Sequence, residues 1–247
     1  MTLLDIPFLW NSFKTLLTGL PLTLQLTVLS VTAGAVFAFL LAVMRISGQW
    51  WLDLPARAYI FVFRGTPLLV QIYIIYYGMS QFPALRQSFL WPYLREAYWC
   101  AVLALALNTA AYSAEIIRGG LLSVPAGQIE AGRAYGMSHW QVFRRIIWPQ
   151  SLRQMLPGYS NEVILMIKST ALASTITMME VTGLAAKLIS ASYRPVEIFI
   201  CAGIIYLTLN FVVARIFAVV EYMTSPERRT PRSRPSTLQN NGEQHAQ

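Results

Sequence analysis

Asn108, Tyr112 and Glu115 lie at i, i+4 and i+7 in a largely apolar stretch. On a helix that spacing gathers an amide, a phenol and a carboxylate into one stripe about 100° wide. The three together offer hydrogen bonds and one negative charge, so the stripe should face a cavity or a partner. Glu115 has two readings. It can receive an ammonium or guanidinium from a ligand, or it can pair with Arg118 three residues on or with Arg64 at similar depth. A second polar point is Arg64-Gly65-Thr66-Pro67, set inside another apolar run. An arginine within a membrane span costs about 2.5–3.5 kcal/mol on insertion scales, so Arg64 should face protein or water unless it snorkels from the inner end. Pro67 removes a backbone donor and Gly65 weakens the same turn, which predicts a kink.

Other chemistries are poorly served. Two histidines, His139 and His245, are too few and too widely placed for a metal site. Cys100 and Cys201 both fall in apolar runs, so no disulfide framework is expected. A phosphate-binding loop needs Gly-Lys, yet Lys14, Lys168 and Lys187 follow Phe, Ile and Ala.

The elements that must position these residues are membrane helices. Of 247 residues 55% are hydrophobic and 12% charged, a balance rare in a water-soluble domain of this size. Spanning a ~30 Å hydrocarbon layer takes about 18 or more apolar residues as helix. Residues 21–44, 65–85 and 97–114 carry no charge, 163–183 hold only Lys168 and Glu180, and 198–214 are again uncharged. The second span opens before its charge-free part, at 58–63, and carries Arg64. An all-α integral membrane protein of five transmembrane helices is expected.

The formal net charge of +8 raises nucleic acid as a partner, but the distribution of basic residues argues for topology instead. With the N-terminus outside, twelve basic residues fall on the inner side and five on the outer, with Arg64 and Lys168 within spans. The C-terminus is then cytoplasmic. Residues 1–19 read either as an interfacial segment with Phe8, Trp10, Phe13 and Leu16 available for burial or as a poorly ordered terminus, and lack the basic start of a cleaved signal peptide. Phe89, Trp91 and Tyr93, in the connection 80–96, suit an outer aromatic belt. Residues 20–222 form the membrane domain. Residues 223–247 are basic, Pro- and Ser-rich and unpatterned, and are expected to be disordered. Lys168 lies deep enough in the fourth span to predict a buried partner or a pore-facing position.

The polar loop 123–157 is more specific. Pro125 suits a helix start and Gly136 a left-handed stop. Ser138 and Gln141 have capping-box spacing, and Trp148-Pro149 predicts a break. Ala126, Gly127, Ala131, Gly132 and Ala134 leave the first helix nearly bare, and Gly132 predicts close approach by another backbone.

Glu130-Ala131-Gly132, with Gly136, Ile146 and Pro149 at fixed distances, resembles the cytoplasmic signature of permease subunits in binding-protein-dependent ABC importers. Gly132 stands where that signature usually has a second Ala, and Trp148 where Leu is common. FRGTPLLVQ at 63–71, LNTAAYSAEIIRGG at 107–120 and YSNEVILMIKSTALAS at 159–174 resemble the polar amino-acid branch, especially its histidine, basic amino-acid and opine type. The resemblance spans residues 12–224. It implies the type I ABC importer permease fold in a bacterial inner membrane, without enzymatic activity of its own. It also implies a coupling helix docked on a dimer of separate ATP-binding subunits, through Glu130, Ala131, Gly132, Arg133 and Gly136. ATP and magnesium would belong to those subunits, with no cofactor in this chain. A second permease subunit, a copy or a similar chain, a periplasmic solute-binding protein and membrane lipid complete the implied partners. For the solute, the resemblance favours Asn108, Tyr112 and Glu115, then Arg64 and Thr66. Histidine, arginine, lysine, ornithine, octopine or nopaline is the expected class, with glutamine-like solutes or an ATPase-independent secondary transporter as alternatives.

Overall fold

Backbone groups in hydrocarbon must bond within their own segment, which makes helix the only economical conformation for long apolar runs. The computed structural model describes residues 5–224, and among these it contains helices and turns but no strand. Helix α1 (Ile6–Leu17) leads into α2 (Leu20–Ile46), and α3 (Trp50–Gly65) is followed by α4 (Leu68–Tyr73). Short helices α5 (Pro83–Arg86) and α6 (Trp91–Leu94) precede α7 (Ala97–Leu122). The polar loop carries α8 (Ala126–Ala134) and α9 (His139–Val142), and α10 (Trp148–Ser169), α11 (Val181–Ser192) and α12 (Pro195–Thr224) complete the chain.

Helix α7 is the hub, packed against α2, α3, α4 and α10. Small residues make this possible: a Cβ on Gly34 of α2 would overlap Thr109, and one on Gly120 would overlap Met155 of α10. Such contacts let helix backbones approach where lipid offers no hydrophobic drive. One core gathers Leu26, Ile72, Leu105, Met166 and Ile176 around α7. A second joins α1, α11 and α12 through Leu16, Val181, Ile198 and Ile205. There Leu16 is fully buried and Phe8 and Phe13 pack against the cluster, while Trp10 remains exposed.

Three stretches are long and apolar enough to cross a membrane unbroken, and two bent pairs bring the number of candidate spans to five. The predicted kink at Gly65–Pro67 is a bend of 106° between α3 and the helix that follows. The fourth candidate bends by 48° after a 3-10 segment, Thr170–Ile176. Buried Glu180 caps α11 there, accepting from the Gly183 N–H at 2.9 Å and from the Tyr206 hydroxyl at 2.7 Å.

One expectation is corrected here. Trp148-Pro149 does not break the chain: Pro149 falls in the first turn of α10, and a π-helical turn, Phe143–Ile147, carries the helix through it. Proline's missing N–H is tolerated at a helix start, so the composition that predicted a break instead marks a junction between two helical geometries. Lys168, expected to meet a buried partner or to face a pore, is exposed in the single chain. In the connection 80–96 Phe89 and Tyr93 are exposed and Trp91 is half-buried. Helix α12 continues through Thr224, past the expected start of the tail at 223, and residues 225–247 lie outside the described residues.

Candidate functional site

The break after α3 is built around a missing donor. In a continuous helix Phe63 O would accept from residue 67, but Pro67 has no N–H. The side chain of Gln71 takes its place: Nε2 donates to Phe63 O at 2.8 Å, to Thr66 O at 3.2 Å and to Thr66 Oγ1 at 2.8 Å. Asn108 Nδ2 donates in turn to Gln71 Oε1 at 2.9 Å and to Phe63 O at 3.4 Å. Buried polar groups need such partners, each unmet group costing about 1–3 kcal/mol. Asn108 therefore fixes the break to α7, and its amide hydrogens are spent on that role.

Beside this network lies a cavity of about 490 Å³ bordered by α3, α4, α7 and α10. Arg64, Thr66, Asn108, Tyr112, Glu162 and Ser169 supply its polar lining. The Arg64 guanidinium lies 5.1 Å from the Tyr112 ring centroid, a cation–π contact that holds the charge at the cavity edge. Glu162 is only 7% exposed, and its Oε1 accepts from Thr109 at 2.7 Å. No described residue hydrogen-bonds Oε2. A buried carboxylate and an unpaired guanidinium on one cavity can receive a solute carrying both charges.

The predicted stripe divides at this point. Asn108 and Tyr112 line the cavity with Arg64 and Thr66, whereas Glu115 belongs to an ion-pair cluster one to two turns further along. Its Oε1 faces Arg45 Nε at 3.3 Å and its Oε2 faces Arg118 Nε at 2.9 Å. Arg45 also binds Asp53 at 2.7 Å, and Asp53 binds Arg57 at 2.6 Å. Of the two readings of Glu115, this geometry is the ion pair. A second cavity of about 490 Å³, lined by Arg45, Arg57 and Glu115, shares Arg64, Gly65 and Tyr112 with the first.

Glu162 is the residue that sequence reasoning passed over. The charge-poor window of the fourth span begins at 163, one residue beyond it, so the acid reads as part of the preceding loop. The helix in fact runs through it, from Trp148 to Ser169. An acid about four turns into a helix that ends in a membrane span was the available signal.

In the polar loop the local rules hold. Gly136 adopts φ +78°, with Gly136 N–H bonded to Arg133 O at 2.9 Å and Met137 N–H to Gly132 O at 3.1 Å. The Ser138–Gln141 capping box forms in both directions, at 3.3 and 2.8 Å. Ala126, Gly127, Glu130, Ala131 and Arg133 are exposed, so α8 does present a nearly bare outer face. Gly132 is not on it. It is buried, and the close approach is made by the Ile146 side chain of the same loop, 2.7 Å from where a Cβ would sit, rather than by another backbone.

Five candidate spans, a polar cavity at a broken helix and a small helix with an exposed, nearly bare face describe a solute permease. Residues 11–223 match the family model of binding-protein-dependent transport system inner membrane components, and the chain belongs to that family. It is 69% identical over 238 residues to the octopine transport system permease protein OccM of Rhizobium meliloti, covering 96% of this chain and 97% of that one. The nopaline transport system permease protein NocM of Agrobacterium fabrum is 52% identical over 92% of this chain and 94% of its own. The histidine/lysine/arginine/ornithine transport system permease protein HisM of Escherichia coli K12 is 43% identical, over 87% and 90%. A crystal structure of an amino acid ABC transporter with histidines superposes with a TM-score of 0.79 at 36% identity, covering 90% of this chain and all of that one.

Proposed function

We propose that this chain is the permease subunit of an ATP-driven importer for opines or basic amino acids, with octopine-like solutes first, and that the solute crosses through the cavity beside the α3 break. The observation that carries this reading is the presence of both Glu162 and Arg64 in the lining of one cavity. An opine of the octopine kind joins a guanidinium to two carboxylates. Glu162 suits the cationic end, Arg64 a carboxylate, and Tyr112 and Thr66 the polar middle. The names of the most similar relatives support the same solute class.

The N-terminus would lie outside and α8 in the cytoplasm, in keeping with the basic residues gathered on that side. The bare face of α8, with Glu130, Ala131 and Arg133, would dock on a dimer of ATP-binding subunits that hold ATP and magnesium. A second permease subunit and a periplasmic binding protein would complete the importer. Closure of the ATP-binding dimer would then move α8 and switch the membrane domain between inward- and outward-facing states.

The test is reconstitution of the full transporter in proteoliposomes with its binding protein. Uptake of labelled octopine or arginine should require ATP and stop when the ATPase subunit is inactivated. Uptake that persists without ATP hydrolysis would reject the reading in favour of a secondary transporter.

A further inference from the structure

On the other side of α7 from the polar cavity lies an apolar groove of about 430 Å³, within the usual size of small-molecule pockets. Its walls are Val36 and Phe39 of α2, Ile117 of α7 and Leu152 and Leu156 of α10. The hydroxyl of Tyr159, also on its wall, is directed to Val31 O at 3.5 Å. Phe39 and Trp148 also border a smaller cavity of about 330 Å³, lined by Trp140, Phe143 and Arg144. Trp140 stacks on Phe143 with centroids 5.9 Å apart, and Phe143 meets Trp148 at 6.0 Å. Arg144 is exposed and has no acidic partner among the described residues.

From one end to the other the groove is aliphatic, then aromatic, then cationic. That order matches a phospholipid read from acyl chain to interface to phosphate, since Trp favours the interface and arginine attracts anionic headgroups. We propose that the groove binds one anionic phospholipid in the leaflet on the α8 side, with an acyl chain between α2 and α10 and its phosphate at Arg144. Val36 lies nine residues before Arg45, about 13 Å along α2, so the groove reaches well into the hydrocarbon, beyond a water-soluble partner.

The test uses the complete transporter in phosphatidylcholine nanodiscs doped with either of two diazirine-acyl photolipids, a phosphatidylglycerol or a phosphatidylcholine. The glycerol lipid should label peptides containing Trp148–Tyr159 at least threefold more than the choline lipid. Arg144→Gln should remove that preference, and Ala35→Phe, at a further lining position on α2 where the larger ring fills the groove, should remove labelling by both. Should Ala35→Phe fail to assemble, Val36→Trp serves in its place, since Val36 is 71% exposed. Equal labelling by the two lipids, or no effect of Arg144→Gln, overturns the headgroup assignment. Efficient crosslinking of Val36→Cys to the second permease subunit would give the groove to that partner and overturn the proposal.

Discussion

Replacing Glu162 by Gln is the sharpest test of the cavity. The two side chains have nearly the same volume, and an amide oxygen can still accept the Thr109 hydrogen bond now made at 2.7 Å. What is lost is the negative charge offered to the solute. Hydrogen bonds to a charged group contribute about 1.5–3 kcal/mol and neutral ones about 0.5–1.5, so each bond from a guanidinium weakens by about 1–1.5 kcal/mol. A guanidinium making two such bonds loses about 2–3 kcal/mol, or about 30- to 140-fold in affinity at ~1.4 kcal/mol per tenfold. Equilibrium binding of labelled octopine and arginine to the purified transporter, without binding protein, reads this directly. Uptake should fall alongside it, while copurification with the ATP-binding subunits and the elution profile stay as in the parent. Unchanged binding in a normally assembled Glu162→Gln complex would refute the assignment of the carboxylate to the solute.

Gln71→Leu strips the closer donor from Phe63 O and the closer acceptor from Asn108, leaving only the 3.4 Å bond between the two, against about 1–3 kcal/mol for a buried group left unmet. The variant should assemble with lower heat stability and little uptake, and a parental melting profile with full uptake would count against the network. Glu115→Gln should leave solute affinity within about twofold, because its carboxylate faces Arg45 and Arg118. Its effect should fall on transport rate, and a large loss of binding would return Glu115 to the solute site. Ala131→Trp adds bulk to the exposed face of α8 without crowding the chain itself. Membrane insertion should persist while copurification with the ATP-binding subunits and uptake are lost; retention of both would remove α8 as the docking element.

Much of the site was legible because local rules acted alone. Pro67 cannot donate and Gly65 resists helix, so the kink of span two follows from two adjacent residues, and its 106° bend only measures it. Gly136 and the Ser138–Gln141 box are likewise decided within a few residues. Glu162 escaped because hydropathy windows start where charge stops, which excludes an acid at the edge of a span by construction. Pro149 misled for a related reason: whether a proline breaks a helix or begins a new turn depends on the backbone geometry just before it.

The sequence by itself determined that this chain lives in a membrane, that its long apolar runs are helices, and that a polar stretch with its own helix caps begins near 123; that 148–157 belongs to the long helix α10 came from the structure. Hydrocarbon forces backbone groups to pair locally, and local pairing is written in local residues. Only the tertiary structure decided which polar residues meet. Helical spacing put Asn108, Tyr112 and Glu115 on one stripe, but the neighbours of that stripe differ along its length. Gln71 claims Asn108, Arg64 lies over Tyr112, and Arg45 and Arg118 claim Glu115. Arg118 is the local exception, three residues from Glu115 on α7 itself; Gln71, Arg64 and Arg45 come from α4, α3 and α2, and no periodicity along α7 could have named those three.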